Sequence, residues 1–371
     1  MTDLHPITLS VLTYGLLEGP AAGSLRAPDP NEWAAVRDEV ARNGLIGLLA
    51  SACQDGAVAL APGQLDDLRA LQQSAAASAL RIEAVALRVI ERLETEGIPV
   101  QLLKGLASAH LDYPDPGWRE FGDADLLVQA ADFDRAVAVL VADGHRRDLV
   151  ERRPGFDRRF GKGVTIYGPD QVELDLHRTF TSGALGLRQC CDDLWRAPAS
   201  FMLGGRTVHA LVPADRFLHA CFAAVLGNTT PRVALLRDIV QLLLRDDLDV
   251  PAVAERATRW GCVPVVDAAI AAAARVFGTL PDSPVLAWVA AARPRWRDRA
   301  LLATYPAFGG SHTAALVAGV FVVRSLSGKL AYARALVRPT REYLLARRRV
   351  GRRPVRPLVV DALARLMRRV E

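Results

Sequence analysis

The sequence predicts an α+β protein in which a mixed sheet with helices is flanked by N-terminal helices and a C-terminal helical domain. Apolar residues repeat at helical spacing over long stretches toward both ends of the chain, whereas short strand-like runs are confined to its middle. With 371 residues, 51% apolar and 23% charged, the chain is long enough for more than one globular domain. We therefore expect a helical segment at 1–97, a sheet-containing catalytic domain at 98–212, a helical domain at 213–333 and an arginine-rich tail at 334–371.

The N-terminal segment is predicted to form helices that pack on the sheet. Asp29 supplies an N-cap and Pro30 the first helical position, and the apolar spacing continues to Asn43. A second helix is predicted from Leu45, and an unbroken pattern over 62–97 predicts a long third helix.

The densest set of constraints lies in residues 102–128, which read LLKGLASAHLDYPDPGWREFGDADLLV. The apolar run that ends at Leu103 predicts a buried strand leading into Lys104 and Gly105. A helix is predicted over 106–111, and its first turn offers free backbone N–H groups beside a glycine. Such a helix start suits the binding of a phosphate.

Two acids begin the next predicted strand. Asp123 and Asp125 share one face of it, because successive side chains on a strand point to opposite faces. Two like charges side by side are costly unless a cation neutralises them, and hard oxygen ligands of this kind suit Mg²⁺ held together with substrate phosphates. We therefore expect that Asp123→Asn or Asp125→Asn leaves the metal-free protein folded.

A third acid is expected from a neighbouring strand. Residues 172–177 alternate strictly and place Glu173, Asp175 and His177 on one face, of which we favour Asp175 as the third acid. The strand-like run at 164–167 and the turn at 168–170 predict a hairpin with this strand.

Four motifs in this region resemble a known family, the uncharacterised nucleotidyltransferases of the DNA polymerase β-like nucleotidyltransferase superfamily. The motifs are Leu-Leu-Lys-Gly at 102–105, Tyr-Pro-Asp-Pro-Gly-x-Arg at 113–119, Gly-Asp-x-Asp-Leu-Leu-Val at 122–128 and Asp-Leu-His at 175–177. The resemblance implies a nucleotidyltransferase-like sheet. It also implies Mg²⁺-dependent transfer of a nucleoside monophosphate from a nucleoside triphosphate to a hydroxyl group of a small molecule, peptide or protein.

The resemblance also assigns roles to residues. The expected catalytic and metal-binding residues, for Mg²⁺ or Mn²⁺, are Asp123, Asp125 and Asp175. The expected nucleotide-binding residues are Lys104, Gly105, Arg119 and Gly122. Arg119 is expected on the departing pyrophosphate, and His177 is an accessory residue that orients Asp175 or contacts the acceptor.

Some interpretations stay open at this point. The Gly-Ser or Gly-Gly pair of the wider superfamily is Gly105-Leu106 here, so a small hydroxyl that often touches the triphosphate is missing. A nucleotide-binding module without turnover is therefore a second hypothesis, and an RNA-directed nucleotidyltransferase or toxin-like modifier is a third. Lys104 could also be a strand-end lysine that reaches water instead of a phosphate. The basic residues of 146–162 form either a solvated hairpin face or a phosphate-binding or acceptor-binding rim.

The C-terminal half is predicted to be helical, with helices over 214–226, 233–244, 251–260 and 263–277. His219 and Asp238 lie within these helices, and we expect them to be satisfied polar groups of the core rather than ligands. The tail at 334–371 holds 12 arginines against three acidic residues. It is a candidate contact for polyanions, although a solvated or self-packing tail is the simpler interpretation.

Cysteine usage and hydropathy predict a cytoplasmic protein. The five cysteines show neither a CxxC pair nor zinc-site spacing, which indicates reduced thiols. The N-terminus lacks the basic start and apolar run of a signal peptide, and no stretch reaches the roughly 20 apolar residues of a membrane span.

Overall fold

The computed structural model describes residues 4–16, 26–189, 191–227 and 232–349. It confirms the predicted fold class, since helices surround a mixed sheet of seven strands. The first helices are α1 (Pro6–Thr13), α2 (Pro30–Arg42), α3 (Ile46–Gln54) and α4 (Pro62–Thr95). Asp29 caps α2 as predicted, because its carboxylate accepts from the backbone of Glu32 while the Glu32 side chain accepts from the backbone N–H of Asp29. Helix α1 was not predicted.

The middle of the chain forms the sheet. Its elements are β1 (Val100–Leu102), α5 (Lys104–Leu111), β2 (Ala124–Val128), α6 (Phe133–Ala142), β3 (Arg146–Arg147), α7 (Phe156–Phe160), β4 (Gly163–Tyr167), β5 (Glu173–His177), α8 (Gly183–Arg188), β6 (Ala199–Leu203) and β7 (Arg206–Ala210). The strand order is β3-β4-β5-β2-β1-β7-β6. Strand β2 runs parallel to β5 and β1 runs parallel to β7, whereas the other neighbours are antiparallel.

The predicted hairpin is confirmed as the antiparallel pair β4–β5, in which Thr165 lies opposite Asp175. A second hairpin, β6–β7, was not predicted. It extends the sheet on the far side of β1.

Helices follow the sheet. They are α9 (Pro213–Leu226), α10 (Val233–Leu243), α11 (Val250–Trp260), α12 (Val263–Phe277), α13 (Pro284–Ala291), α14 (Trp296–Leu302), α15 (His312–Val322), α16 (Leu326–Val337) and α17 (Arg341–Arg349). The first four match the helices that were predicted from the apolar spacing. The predicted arginine tail begins within α16 and continues through α17, and its part from 350 onward lies outside the described residues. None of the helices in the described part of the chain combines the length and apolarity that crossing a bilayer needs.

The two faces of the sheet are covered by different helices. Leu102, Leu126 and Leu174 pack with α4 and α6 in one buried cluster. Leu103 and Leu127 point the other way and join a larger cluster with α1, α2, α3 and the helices α9 to α12. Because side chains alternate along a strand, Asp125 and Leu127 lie on this second face, opposite to Leu126. The helical region therefore covers the face of the sheet that carries the predicted acids.

A buried ion pair joins α5 to α9. Arg216 donates from Nε and Nη2 to Oδ1 of Asp112 at 3.0 and 2.8 Å, and from Nη1 to the carbonyl of Leu211 at 2.6 Å. Both charged residues are almost fully buried. Removing one partner of such a pair leaves an uncompensated charge in the interior, which is strongly destabilising.

We predict that Asp112→Asn lowers the free energy of unfolding by about 3 kcal/mol, because the buried guanidinium of Arg216 loses its counter-charge. Denaturant unfolding of the metal-free protein measures the change. Asp247→Asn is the matched control, since Asp247 also pairs with an arginine, Arg245, but is exposed. The control should cost less than about 1 kcal/mol, and equal losses in the two variants would contradict the prediction.

Candidate active site

The predicted acids meet where β2 and β5 run side by side. Asp125 lies directly opposite Asp175 in this parallel pair, and Asp123 precedes β2 by one residue. Asp123 and Asp125 are two residues apart along an extended chain and so share the face that the helices cover. His177 follows Asp175 by two residues and lies on the same face of β5.

Three of these side chains approach one another closely. Asp125, Asp175 and His177 each offer an atom within 4.8 Å of the others. Nε2 of His177 lies 2.6 Å from Oδ1 of Asp125 and 3.8 Å from Oδ2 of Asp175. Thr165 donates to Oδ1 of Asp175 at 2.6 Å, which leaves Oδ2 for another partner. Asp123 stands outside this close set, at the cavity next to it.

Lys104 neutralises Asp125 in the protein without a ligand. Its ammonium contacts Oδ1 of Asp125, whose side chain is only 3% exposed. Burial alone would raise the pKa of Asp125, but Lys104 and the hydrogen bond from His177 outweigh it, and the pKa lies well below its ordinary value. For Asp123, burial together with the charges of Asp125 and Asp175 prevails over Lys104 and raises the pKa from 3.8 to about 6.

His177 is buried among charges of both signs. Burial and the nearby ammonium of Lys162 lower the pKa of His177 in spite of its bond to Asp125. Its Nδ1 is buried and has no hydrogen-bond partner among the described residues. A neutral imidazole whose Nε2 faces the acids can act as a metal ligand or can orient a carboxylate.

This donor set fits a divalent cation. Carboxylate oxygens from adjacent strands are the hard ligands that Mg²⁺ and Mn²⁺ prefer, and an imidazole is acceptable to Mn²⁺. Two of the three acids, Asp123 and Asp125, also line a cavity that is large enough for a nucleotide.

That cavity has a volume of about 720 Å³ and lies between the sheet and the helical region. Its floor is formed by the start of α5, the start of β2 and the loop at 119–122. Helices α9, α10 and α15 supply the opposite wall through Phe222, Leu235 and Ala315.

The two predicted glycines have different packing environments. A Cβ on Gly105 would lie 2.6 Å from Cβ of Phe121, so close packing of the 119–122 loop requires a glycine there. A Cβ on Gly122 would meet nothing within 4 Å. Packing therefore gives a reason for Gly105 but none for Gly122, which lies in open space at the cavity.

Lys162 is a site residue that sequence reasoning missed, since it was grouped with the basic residues of 146–162. It lines the cavity near Lys104, and the part of the chain that the structure describes gives its ammonium no hydrogen-bond or ion-pair partner. Its carbonyl accepts from the backbone of Arg178 at 2.8 Å, which fixes the residue beside β4 and β5. Burial and the charge of Lys104 lower the pKa of Lys162. The available signal was a lysine between two glycines, directly before the strand that pairs with the Asp175 strand.

Arg119 is held by a residue of the helical region. Its Nε and Nη2 donate to the two carboxylate oxygens of Asp238 on α10 at 2.8 and 2.9 Å, and its Nη1 contacts the carbonyl of Glu120. The hydroxyl of Tyr113 donates to the same carboxylate at 2.7 Å. Arg119 thus positions the loop beside the acids, while a pyrophosphate clamp by Arg119 stays a prediction.

The two helical residues that were set aside as core groups are indeed buried. Asp238 is satisfied by Tyr113 and Arg119, as expected. His219 stacks on Phe180 with ring centroids 4.5 Å apart, and its Nε2 has no partner among the described residues. His219 therefore packs as a core residue beneath His177, with 6.5 Å between the ring centroids.

Comparisons with known proteins identify the family of this chain. The model of a family described as uncharacterised nucleotidyltransferase matches residues 29–278, a range that begins just before α2 and ends just after α12. No curated protein matches the chain. Among solved structures, the crystal structure of an antigenic nucleotidyltransferase-like protein from Paracoccidioides brasiliensis is 16% identical, with 54% of this chain and 96% of that chain covered and a TM-score of 0.29. A TM-score of this size supports no transfer of residue roles.

The structure separates the two acids that the sequence treated alike. We predict that Asp125→Asn lowers the melting temperature of the metal-free protein by several degrees, because Lys104 and His177 lose a buried partner worth about 3 kcal/mol. Asp123→Asn should leave it unchanged or raise it, since that change removes repulsion from Asp125 and Asp175. Thermal unfolding in the presence of a chelator measures both variants. Equal melting temperatures of the two variants would contradict the prediction, because they would show that the pairing of Asp125 with Lys104 adds no stability.

Proposed function

The chain belongs to the uncharacterised nucleotidyltransferase family, and we propose that it transfers a nucleoside monophosphate from a nucleoside triphosphate to a hydroxyl group of an acceptor. One observation carries the proposal. Aspartates on two paired strands stand beside two lysines, and Asp123, Asp125, Lys104 and Lys162 line one nucleotide-sized cavity. Acids that gather cations and lysines that bind phosphates are the two requirements of this chemistry.

The acids are the proposed metal ligands. Asp125 and Asp175, with Asp123 beside them, would hold Mg²⁺ or Mn²⁺, and His177 would orient Asp125 through its 2.6 Å contact. A bound divalent cation supplies charge neutralisation at the phosphates and lowers the pKa of a hydroxyl group that it contacts. Lys104, which neutralises Asp125 in the protein without a ligand, would then be released toward the triphosphate.

The nucleotide is proposed to enter the larger cavity with its triphosphate toward the lysines. Lys162 supports this orientation, because its ammonium has no protein counter-ion among the described residues. The backbone N–H groups at the start of α5, beside Gly105, face the same cavity and would bind phosphate oxygens. Gly122 has no side chain and leaves space for the nucleotide at its place in the cavity lining.

The proposed reaction is a displacement at the α-phosphorus. The acceptor hydroxyl oxygen attacks that phosphorus, the bond from the α-phosphorus to the bridging oxygen breaks, and pyrophosphate leaves with the electron pair of that bond. The hydroxyl proton passes to Oδ2 of Asp175, which Thr165 leaves open by donating to Oδ1. Asp175, with 23% of its side chain exposed, is the most accessible acid of the close set.

We predict that the protein moves label from α-labelled nucleoside triphosphate to an acceptor in a cell extract and releases γ-label as pyrophosphate. Asp175→Asn should reduce the transfer at least a hundredfold, because a positioned base typically contributes 10²–10⁴-fold. Glu173→Gln is the matched control, since Glu173 lies on the same face of β5 and bonds Tyr167 instead. The control should keep its activity.

Two outcomes of this labelling would overturn the proposal. Label that reaches the acceptor only from the γ-position would indicate a kinase. If neither label moves but Mg²⁺ and the triphosphate still raise the melting temperature, the protein is a nucleotide-binding module without turnover.

We also predict that Lys162→Met weakens nucleotide binding about tenfold or more, because a charge-assisted bond to phosphate contributes roughly 1.5–3 kcal/mol. Its melting temperature without nucleotide should not fall, since a partially buried cation without a partner is removed. Calorimetric titration with a triphosphate analogue measures the change. Lys329→Met on α16 is the control, because Lys329 does not line the cavity. Equal affinity in both variants would remove Lys162 from the nucleotide site.

A further inference from the structure

A second, smaller cavity adjoins the nucleotide cavity. Its volume is about 270 Å³, and it shares Lys162, Ser182 and Leu316 with the larger one. The start of β4 and helix α7 form one side, and Tyr343 and Arg347 of α17 form another. The proposed reaction uses Lys162 and Thr165 of this lining but assigns no ligand to the cavity.

The second cavity is connected to Asp175 through Thr165. Thr165 lines it and donates to Asp175, the acid assigned to the acceptor hydroxyl. In the sheet, β4 and β5 lie on one side of β2, whereas β1, which leads into Lys104 and Gly105, lies on the other. An acceptor in this cavity would therefore lie beside Thr165, the partner of Asp175, whereas a nucleotide in the larger cavity would lie beside Asp123 and Asp125.

The cavity wall carries a pair of guanidinium groups. The guanidinium of Arg152 lies over the ring of Tyr343, 5.1 Å from its centroid, and Nη1 of Arg347 donates to the hydroxyl of the same tyrosine at 3.2 Å. Nη1 of Arg152 is buried and has no hydrogen-bond partner among the described residues. Burial, followed by the charge of Arg347, lowers the pKa of Arg152. The unpartnered Nη1 of Arg152 is the group in this wall that an anionic ligand would satisfy.

The acids around this cavity are mostly committed elsewhere. Glu151 accepts from the backbone of Gly155 at 3.1 Å and of Asp157 at 3.3 Å. Asp157 in turn binds Arg147 at 2.6 Å. The lining thus holds three carboxylates, those of Asp148, Glu151 and Asp157, and three cationic side chains, those of Arg152, Lys162 and Arg347. Because Arg147 compensates Asp157 from outside the lining, an anion in the cavity would not meet an excess of negative charge.

We propose that this cavity binds the acceptor, and that the acceptor is a small molecule carrying a carboxylate or phosphate group that Arg152 recognises. The identity of the occupant as an acceptor rests on the proposed function, whereas the anion site itself does not. A volume of about 270 Å³ suits a molecule smaller than a nucleotide. Guanidinium groups bind planar carboxylates and phosphates through paired hydrogen bonds, so both sources share one recognition chemistry.

The test separates the anion site from the nucleotide site. The full-length protein is saturated with Mg²⁺ and a nucleoside triphosphate analogue whose α–β bridge is a methylene, and is then titrated with methyl phosphate or with acetate. The wild type should bind at least one of the two anions, and the stronger ligand identifies the group on the acceptor. Arg152→Met, which removes the guanidinium and keeps an unbranched side chain, should weaken that binding about tenfold or more. It should bind the nucleotide analogue normally.

Arg158→Met is the matched control, because it removes one positive charge from the same segment at an exposed pair with Asp134. The control should bind the anion as the wild type does. Should Arg152→Met fail to fold, Arg347→Met tests the same cation pair from α17. Absence of anion binding in the wild type, or equal binding in the Arg152 variant and the control, would overturn the proposal.

Failure of this inference can be told from failure of the proposed function. If α-label reaches an acceptor while Arg152→Met changes neither transfer nor anion binding, the proposed function stands and this inference fails. If Arg152→Met loses anion binding but no α-label ever moves, the anion site stands and nucleotidyl transfer fails.

Discussion

The buried carboxylate of Asp125 is the constraint on which the rest of the site depends. A charge placed in the interior is tolerated only when it is paired and hydrogen-bonded. Asp125 lies on a central strand, under the helices that cover the sheet, and is 3% exposed. The chain satisfies it with Lys104, the first residue of α5, and with His177 from β5, so one carboxylate connects β2 to both of these elements. The same arrangement gathers the acids and cations that the proposed chemistry uses.

The helical region belongs to the site as much as the sheet does. Asp238 on α10 holds both Arg119 and Tyr113, so the loop that leads into Asp123 is positioned by a helix far away in sequence. Asp112 and Arg216 join the end of α5 to α9 in the same manner. One hydrophobic cluster also runs from the N-terminal helices through Leu103 and Leu127 into the helical region. The predicted boundary at 212 stays a prediction about the chain, but the packing across it is continuous.

The two cavities lie at different places along the sheet. The larger one is bounded by the sheet and by α9, α10 and α15, and the starts of α5 and β2 line it. The smaller one lies beyond β5, against β4 and α17. Lys162, Ser182 and Leu316 border both, and Lys162 is the charged residue among them. A donor in the larger cavity and an acceptor in the smaller one would each have a cavity of its own beside the acids.

The sequence by itself determined the features that depend on near neighbours along the chain. Helical spacing and caps predicted α2, α4 and α9 to α12, and strict alternation placed Asp175 and His177 on one face of their strand. The motifs over 102–128 also pointed to the family. Only the tertiary structure decided which of these residues meet. It paired β1 with β7, committed Arg119 to Asp238, added Lys162 to the nucleotide cavity and distinguished the stabilised Asp125 from the repelled Asp123. These outcomes depend on contacts between residues that are distant in sequence and on burial, and the periodicity of a sequence reports only local geometry.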